Sequence, residues 1–282
     1  MVVFLNALSS SMILILVSLG LGIIFGQMNV FNLAHGEFFM LGAYAAVITG
    51  LMGLPPIAGL IFAPLFVGLI GIVVERLLIR PLYARPMDTL LVTWGLSMVL
   101  KQLIQLIFGA GHRNADALFT GSMNIFGTEY PIYRIFIIVI TLALLGIVFF
   151  LYFRTSFGLK MRMVIQNRQQ AMAMGINTVS VDRMTFALGS ALAGIAGAIM
   201  TPLMFISPEM GASYLTNSFI VVIIGGVSSL IGLVGGGMTY GIAKTIIDFV
   251  IANSFLTNII VLLLAIVIIR LKPNGIFTRK SR

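Results

Sequence analysis

The chain contains no cysteine and very little charge. Of its 282 residues none is cysteine, only 9% are charged and two are histidine. A disulfide framework, a thiolate nucleophile and a thiolate metal site are therefore excluded. The two histidines, His35 and His112, are too few and too isolated from other ligand-type residues to form a metal site. We expect the chain to bind no metal and no cofactor of its own.

Several sequence motifs of enzymes are also missing. The chain has no G-x4-G-K-[ST] phosphate loop, so it does not hydrolyse ATP by that mechanism. It has no H-E-x2-H zinc motif and no G-x-S-x-G nucleophile elbow. We therefore predict that no residue is catalytic, and an intramembrane enzyme has no supporting group of residues.

What the chain has in abundance is apolar sequence. Hydrophobic residues make up 60% of it, and its mean hydropathy is +1.12. A soluble domain usually carries about 25% charged residues. The composition therefore predicts an all-α, polytopic transmembrane helix bundle. A spanning helix needs about 20 mostly apolar residues, and six segments qualify: 3–26, 55–79, 88–109, 134–153, 184–205 and 255–270.

Two further apolar regions are interrupted. Residues 30–50 contain several polar groups, and residues 217–251 are too long for one span. Glycines break the second region at Gly225-Gly226 and at Gly235-Gly236-Gly237, which predicts two short or interrupted helices there. In total we expect about eight to ten spans, counting short or broken helices.

The basic residues cluster between apolar runs. Thirteen of the 17 lie in segments 76–85, 154–183 and 270–282. Clusters of this kind mark cytoplasmic loops by the positive-inside rule. The net charge of +9 is therefore explained by basic residues in cytoplasmic loops. We expect no nucleic acid as a partner. The C-terminus is predicted to be cytoplasmic.

The stretch NVFNLAHGEFFMLGAY, residues 29–44, places polar groups inside an apolar segment. His35 and Glu37 are two residues apart, so on a regular helix they point to different faces and do not form a catalytic pair. Lipid does not tolerate such groups, so Asn32, His35 and Glu37 must face the bundle interior or water. They are predicted either to hold a hydrogen-bonded helix break or to line a permeation path.

The span at 88–109 carries further polar residues. Thr93 and Trp94 are candidates for packing or gating, and Gln102 and Gln105 are candidates for a polar path. Lys101 is expected to extend to the membrane interface. In another span, Lys244 and Asp248 are four residues apart and are expected to neutralise each other.

The basic segment 154–183 is expected to be a cytoplasmic loop. Residues 166–174 are good helix formers and are followed by Gly175, a plausible C-cap. Ala171, Met172 and Met174 are apolar, although a purely solvated loop needs no such residues. These residues favour a short helix that is presented to a cytoplasmic partner.

The same loop carries a family resemblance. QQAMAMG, residues 169–175, resembles the E-A-A-x3-G pattern of ABC-importer permeases, with Ala171 and Gly175 matching and two glutamines replacing Glu and Ala. NLAHGEFFMLGAY resembles a signature of permeases for branched-chain amino acids and urea. RPMDTLLVTWGLSMVL, FALGSALAGIAG, SYLTNSFIVVIIGGVSSLIG and KPNGIF are similar to the urea branch. The resemblance covers nearly the whole chain from about residue 8.

The resemblance implies a single permease domain over residues 1–282 in the bacterial cytoplasmic (inner) membrane. It implies a homologous second permease, two cytoplasmic ATPase subunits that use ATP, and an extracytoplasmic solute-binding protein as partners. The coupling helix that docks on the ATPase would comprise Arg168, Gln169, Gln170, Ala171, Met172, Met174 and Gly175. The permease pair would then move the solute by alternating access.

The solute and the energy source have alternatives. The resemblance and the lack of an obvious ion pair near residues 32–37 favour urea, and a branched-chain amino acid is the alternative within the family. From another class, a stand-alone channel or proton-coupled transporter would use His35 and Glu37 as a proton relay.

Overall fold

The computed structural model describes residues 2–83, 85–125, 127–226, 229–272 and 275–277. In this part of the chain the first five helices and a hairpin follow in order: α1 Val2–Met28, α2 His35–Leu51, α3 Pro56–Val74, α4 Pro86–Phe108, β1 Ser122–Ile125, β2 Thr128–Pro131 and α5 Ile132–Arg154. The remaining helices are α6 Ser156–Gln166, α7 Arg168–Ala173, α8 Thr178–Met200, α9 Met210–Gly225, α10 Leu230–Ile251 and α11 Ser254–Leu271. The prediction of an all-α bundle is confirmed, apart from the small antiparallel hairpin β1–β2.

Seven helical segments in the described residues are long and apolar enough to cross a membrane. They correspond to α1, α3 with its π and 3-10 extension to Leu82, α4, α5, α8 with its extension to Leu203, α10 and α11. All six predicted spans are among them. The helices α2 and α9, with 17 and 16 residues, are shorter and complete the bundle.

α1 is the central helix. It packs against α5, α8, α9 and α10, and Ile15, Leu16 and Val17 are fully buried in succession. A helix that is apolar on every side and buried on every side needs neighbours all round. By contrast, α4 makes few contacts with the other helices, and most of its surface is exposed on the outside of the bundle.

Glycine allows the inner helices to approach one another closely. A methyl group on Gly42 of α2 would lie 1.9 Å from the Gly194 carbonyl oxygen of α8, and one on Gly197 would lie 1.9 Å from the Phe39 carbonyl oxygen. Both positions on α8 belong to small-x3-small patterns, which permit close contact between helix backbones. The α2–α8 contact therefore depends on the absence of side chains.

The predicted breaks in residues 217–251 are half correct. The first is confirmed, because α9 ends at Gly225 and α10 begins at Leu230. The second is wrong, because Gly235, Gly236 and Gly237 lie inside a continuous α10. A methyl group on Gly236 would meet the Gly225 backbone at 2.6 Å, and one on Gly237 would meet Ile15 at 2.4 Å. These glycines provide close packing, which offsets their low helix propensity.

The basic segments meet at one end of the bundle. The Arg168 guanidinium lies 5.5 Å from the centre of the Tyr83 ring, which joins segments 154–183 and 76–85. Ile276, after α11, donates its backbone N–H to Ile224 near the end of α9. Arg279, Lys280 and Arg282 of the third predicted segment lie outside the described residues. This arrangement agrees with the predicted grouping of the basic loops on one side.

Candidate functional site

The polar stretch at residues 29–34 is a chain reversal between α1 and α2. Asn29 has a φ of +53°, a left-handed conformation that asparagine tolerates. The Asn32 side-chain oxygen accepts the Ala34 N–H at 3.0 Å, just before α2 begins at His35. Of the polar residues in this stretch, Asn32 thus satisfies a free backbone N–H just before the helix.

His35 is tied to α1. Its Nε2 lies 3.0 Å from the Val17 carbonyl oxygen, and its side chain is fully buried. Since a carbonyl only accepts, Nε2 carries the proton. Among the described residues, His35 Nδ1 has no hydrogen-bond partner.

Glu37 and the chain reversal are tied to α4 instead. The Ser97 hydroxyl donates to Glu37 Oε1 at 2.7 Å. One turn earlier, Thr93 Oγ1 accepts the Leu33 N–H and lies within hydrogen-bonding distance of the Phe31 carbonyl, both at 3.1 Å. His35 and Glu37 thus bond to different helices, as their spacing predicts.

The candidate pathway residues form two groups. Asn32, His35, Glu37 and Thr93 are buried together around the start of α2. The other three candidates lie together on the exposed side of α4: Trp94, Gln102 and Gln105. The structure brings the first group together and leaves the second group on the outside of this chain.

The predicted cytoplasmic loop contains two helices. α7 begins after Asn167, whose side-chain oxygen accepts the Gln170 N–H, and it is followed by Gly175 at φ +80°. The C-terminal glycine is confirmed as the point where the helix stops. The boundaries differ from the prediction, because Gln166 ends the amphipathic α6 and residues 178–183 already belong to α8.

The apolar residues of α7 have different surroundings. Met172 and Met174 are 51% and 61% exposed, and Gln169 and Gln170 are also exposed. Ala171 is 1% exposed and packs under the helix. The sequence predicts that all three apolar residues are available to a partner, and for Ala171 this is wrong because its side chain is part of the bundle core.

Arg168 connects α7 to the bundle interior. It forms an ion pair with Asp182 of α8, which is fully buried and also accepts a long hydrogen bond of 3.5 Å from Gln27 of α1. Its guanidinium also lies over the Tyr83 ring. Sequence reasoning did not identify Asp182, because it placed residue 182 in the cytoplasmic loop 154–183, whereas α8 begins at Thr178.

Tyr83 extends this cluster to the end of α3. Its hydroxyl donates to Glu75 Oε1, in the π-helical turn that follows α3. Burial, followed by that hydrogen bond, raises the pKa of Tyr83 above its ordinary value, so the hydroxyl remains a donor. The cluster therefore joins α7 to the ends of α1, α3 and α8.

One prediction about the charged residues needs correction. The ion pairs among the described residues are Arg85–Asp88, Lys101–Glu209 and Arg168–Asp182. Lys101 is thus paired with Glu209 at 3.0 Å, where only interfacial solvation was expected. Lys244 and Asp248 interact electrostatically, as expected, although they are not within ion-pair distance, and Asp248 also accepts hydrogen bonds from Ser254 and Thr257.

Comparison with known proteins gives a consistent result. Residues 3–270 match the family model described as "Branched-chain amino acid transport system / permease component". The chain is 27% identical to the high-affinity branched-chain amino acid transport system permease protein LivH of Escherichia coli K12, over 94% of this chain and 91% of LivH. It is 26% identical to the permease protein BraD of Pseudomonas aeruginosa, over 97% of this chain and 94% of BraD.

A similar match comes from an archaeon. The chain is 26% identical to the probable permease protein LivH of Methanocaldococcus jannaschii, over 96% of this chain and 90% of that protein. No solved structure matches the chain.

Proposed function

The chain belongs to the family of branched-chain amino acid transport system permease components, and from this we propose that it is the membrane-spanning subunit of an ATP-driven importer for branched-chain amino acids. Its helices move the solute, while separate subunits hydrolyse ATP and capture the solute outside the cell. The C-terminus and α7 face the cytoplasm.

The feature of the structure that supports this function is α7. It is a short helix outside the spans that exposes Met172 and Met174, and exposed methionines suit an adaptable protein–protein contact. Behind that surface, Arg168 pairs with the buried Asp182. A displacement of α7 by a bound ATPase therefore also displaces α8, α1 and the end of α3.

The relatives favour a branched-chain amino acid over urea as the solute. The curated names of LivH and BraD refer to branched-chain amino acid transport, whereas the expected urea branch has no support among these matches. We therefore adopt the alternative solute class. Urea is the competing solute in the experiment below.

We assign the exposed face of α4 to the contact with a second permease subunit. Its exposed face carries Gln102 and Gln105, and amide side chains are unfavourable against lipid hydrocarbon. A neighbouring helix could satisfy them by hydrogen bonding. A pathway between two permeases would then be lined by these glutamines, as the sequence suggested.

The function is tested by reconstitution. The chain, the second permease and the two ATPases are purified together, placed in proteoliposomes and supplied with the solute-binding protein. We expect uptake of radiolabelled leucine to require ATP on the side of the membrane that carries the ATPases. A proton ionophore should not affect this uptake. ATP-dependent uptake of urea with none of leucine would overturn the solute assignment, and uptake without ATPase would overturn the importer function.

A further inference from the structure

A polar cavity lies between α1, α5, α8, α9 and α10. Its volume is about 510 Å³, within the range of about 300–1,000 Å³ that is typical of small-molecule sites. A second cavity of about 370 Å³ adjoins it towards α11 and shares Ser213, Asn217 and Lys244 with it. We call the two together the outer cavity.

The outer cavity lies at the end of the bundle away from α7. On α1 it is lined by residues between Asn6 and Leu14, whereas Gln27, at the other end of α1, contacts Asp182 beside α7. On α5 it is lined by Arg134 near the first turn, whereas the last turn leads to α6 and α7. If α7 faces the ATPase, the outer cavity faces the extracytoplasmic side.

Two cations, Arg134 and Lys244, line this cavity together with the single carboxylate of Asp248. Arg134 donates to the Asn6 side-chain oxygen at 2.8 Å, and Lys244 lines both parts of the cavity. Neither forms an ion pair with a described residue. A cation within a membrane helix is normally paired or faces a water-filled path, so these two groups favour an anionic occupant.

The rest of the lining contains one acidic group, several uncharged polar groups and a set of apolar side chains. Asp248, one turn from Lys244 on α10, supplies a carboxylate. The apolar part of the wall is formed by Ile13, Leu14, Met200 and Met204. The cavity thus combines cationic, anionic and apolar surfaces, which correspond to the three parts of an apolar α-amino acid.

We propose that the outer cavity binds the imported amino acid as a zwitterion. Lys244 and Arg134 hold its carboxylate by charge-assisted hydrogen bonds, Asp248 holds its ammonium group, and the apolar wall accommodates its side chain. This inference rests on the proposed function, since it presumes that the solute is an amino acid. It assigns specificity to residues of the permease in addition to the solute-binding protein.

The lining of the cavity contacts α2. Tyr214 lines the cavity, and its ring stacks on Phe39 with centroids 4.1 Å apart. A methyl group on Gly211 would lie 2.5 Å from the Gly36 carbonyl oxygen, so α9 presses on the first turn of α2. Tyr214 therefore connects the lining of the cavity to α2, whose first turn carries Glu37.

The absence of cysteine from this chain provides a direct test. Ser213→Cys places one thiol in the outer cavity, and Ser122→Cys places one on the exposed hairpin as a matched control. The full transporter in nanodiscs is treated with a membrane-impermeant thiol reagent, and labelling is measured on this chain. We expect saturating leucine to slow labelling at Ser213→Cys at least tenfold and to leave Ser122→Cys unaffected.

Analogues and charge variants define the ligand. Leucinamide, which has no carboxylate, 4-methylpentanoate, which has no ammonium group, and urea should give no protection. In the Ser213→Cys background, Lys244→Gln should abolish protection by leucine, whereas Lys244→Arg should retain it. Labelling without leucine should be the same in both variants, which shows that they fold.

The outcomes separate this inference from the proposed function. If the transporter imports leucine but leucine does not protect Ser213→Cys, the cavity is not the solute site and the importer function stands. If leucine is not imported at all, the proposed function fails and the inference fails with it. Protection by urea, or protection that depends on anionic lipid and not on leucine, would overturn the zwitterion assignment.

Discussion

The guanidinium of Arg168 on α7 pairs with the carboxylate of Asp182 on α8, and the side chain of Asp182 is fully buried. The two residues are 14 positions apart in sequence and join the helix outside the spans to one of the most buried helices of the bundle. Since Asp182 also contacts Gln27 of α1, a displacement of α7 cannot leave α1 and α8 unaffected.

Removal of one partner should therefore destabilise the protein strongly. Arg168→Ala leaves the buried Asp182 carboxylate with only the long hydrogen bond from Gln27. Loss of one partner of a fully buried ion pair typically costs about 3–5 kcal/mol, and this is an upper bound here because Arg168 is 38% exposed. We expect a lower Tm of the purified transporter. The double variant Arg168→Leu/Asp182→Leu removes both charges and should recover much of that loss.

Lys160→Ala, on the exposed surface of α6, is the control for this comparison and should leave the Tm unchanged. An Arg168→Ala variant with the Tm of the Lys160→Ala control would show that the ion pair contributes nothing to stability.

The exposed methionines of α7 should determine binding of the ATPase. Met172→Glu with Met174→Glu places two carboxylates on the surface that we assign to the ATPase contact, where burial of charge is costly. We expect at least a tenfold loss of co-purified ATPase with an unchanged yield of the permease. Met123→Glu, 50% exposed on the hairpin at the other end, should retain the ATPase, and equal retention by both would exclude α7 as the docking surface.

His35 should act through its bond to α1 and not as a proton carrier. In His35→Ala the Val17 carbonyl oxygen loses its side-chain donor, and loss of such a buried partner costs about 1–3 kcal/mol. His35→Gln keeps an N–H donor and should retain most ATP-driven leucine uptake. If His35→Gln abolishes uptake while its Tm equals that of the wild type, a proton relay through His35 is supported instead.

The α2–α8 contact should tolerate no side chain. Gly42→Ala places a methyl group 1.9 Å from the Gly194 carbonyl oxygen, and overpacking of this kind costs about 1–3 kcal/mol or more. We expect a lower Tm and a lower yield. Gly146→Ala, in α5 with no atom near the added methyl group, should be neutral or stabilising by up to about 1 kcal/mol. Equal Tm values for the two variants would contradict the close contact.

Local physical chemistry determined the class of the protein and most of its helices. Apolar runs of spanning length must be helical in lipid because every backbone polar group needs an internal partner, so six spans could be located from sequence. The roles of Asn32 near a helix start and of Gly175 after a helix end could also be predicted from sequence, because they depend only on neighbouring backbone groups.

Other features depended on which helices pack together. Gly225-Gly226 and Gly235-Gly236-Gly237 look alike in sequence, yet only the first ends a helix, because the second faces Ile15 and the Gly225 backbone. Met172 and Ala171 are adjacent, yet only the first is exposed. The partners of Arg168 and Glu37 lie on other helices, and the partner of Lys101 lies just before α9. The residues lining the outer cavity come from six helices. Sequence periodicity specifies the faces of one helix, whereas the choice of neighbour is made by three-dimensional packing.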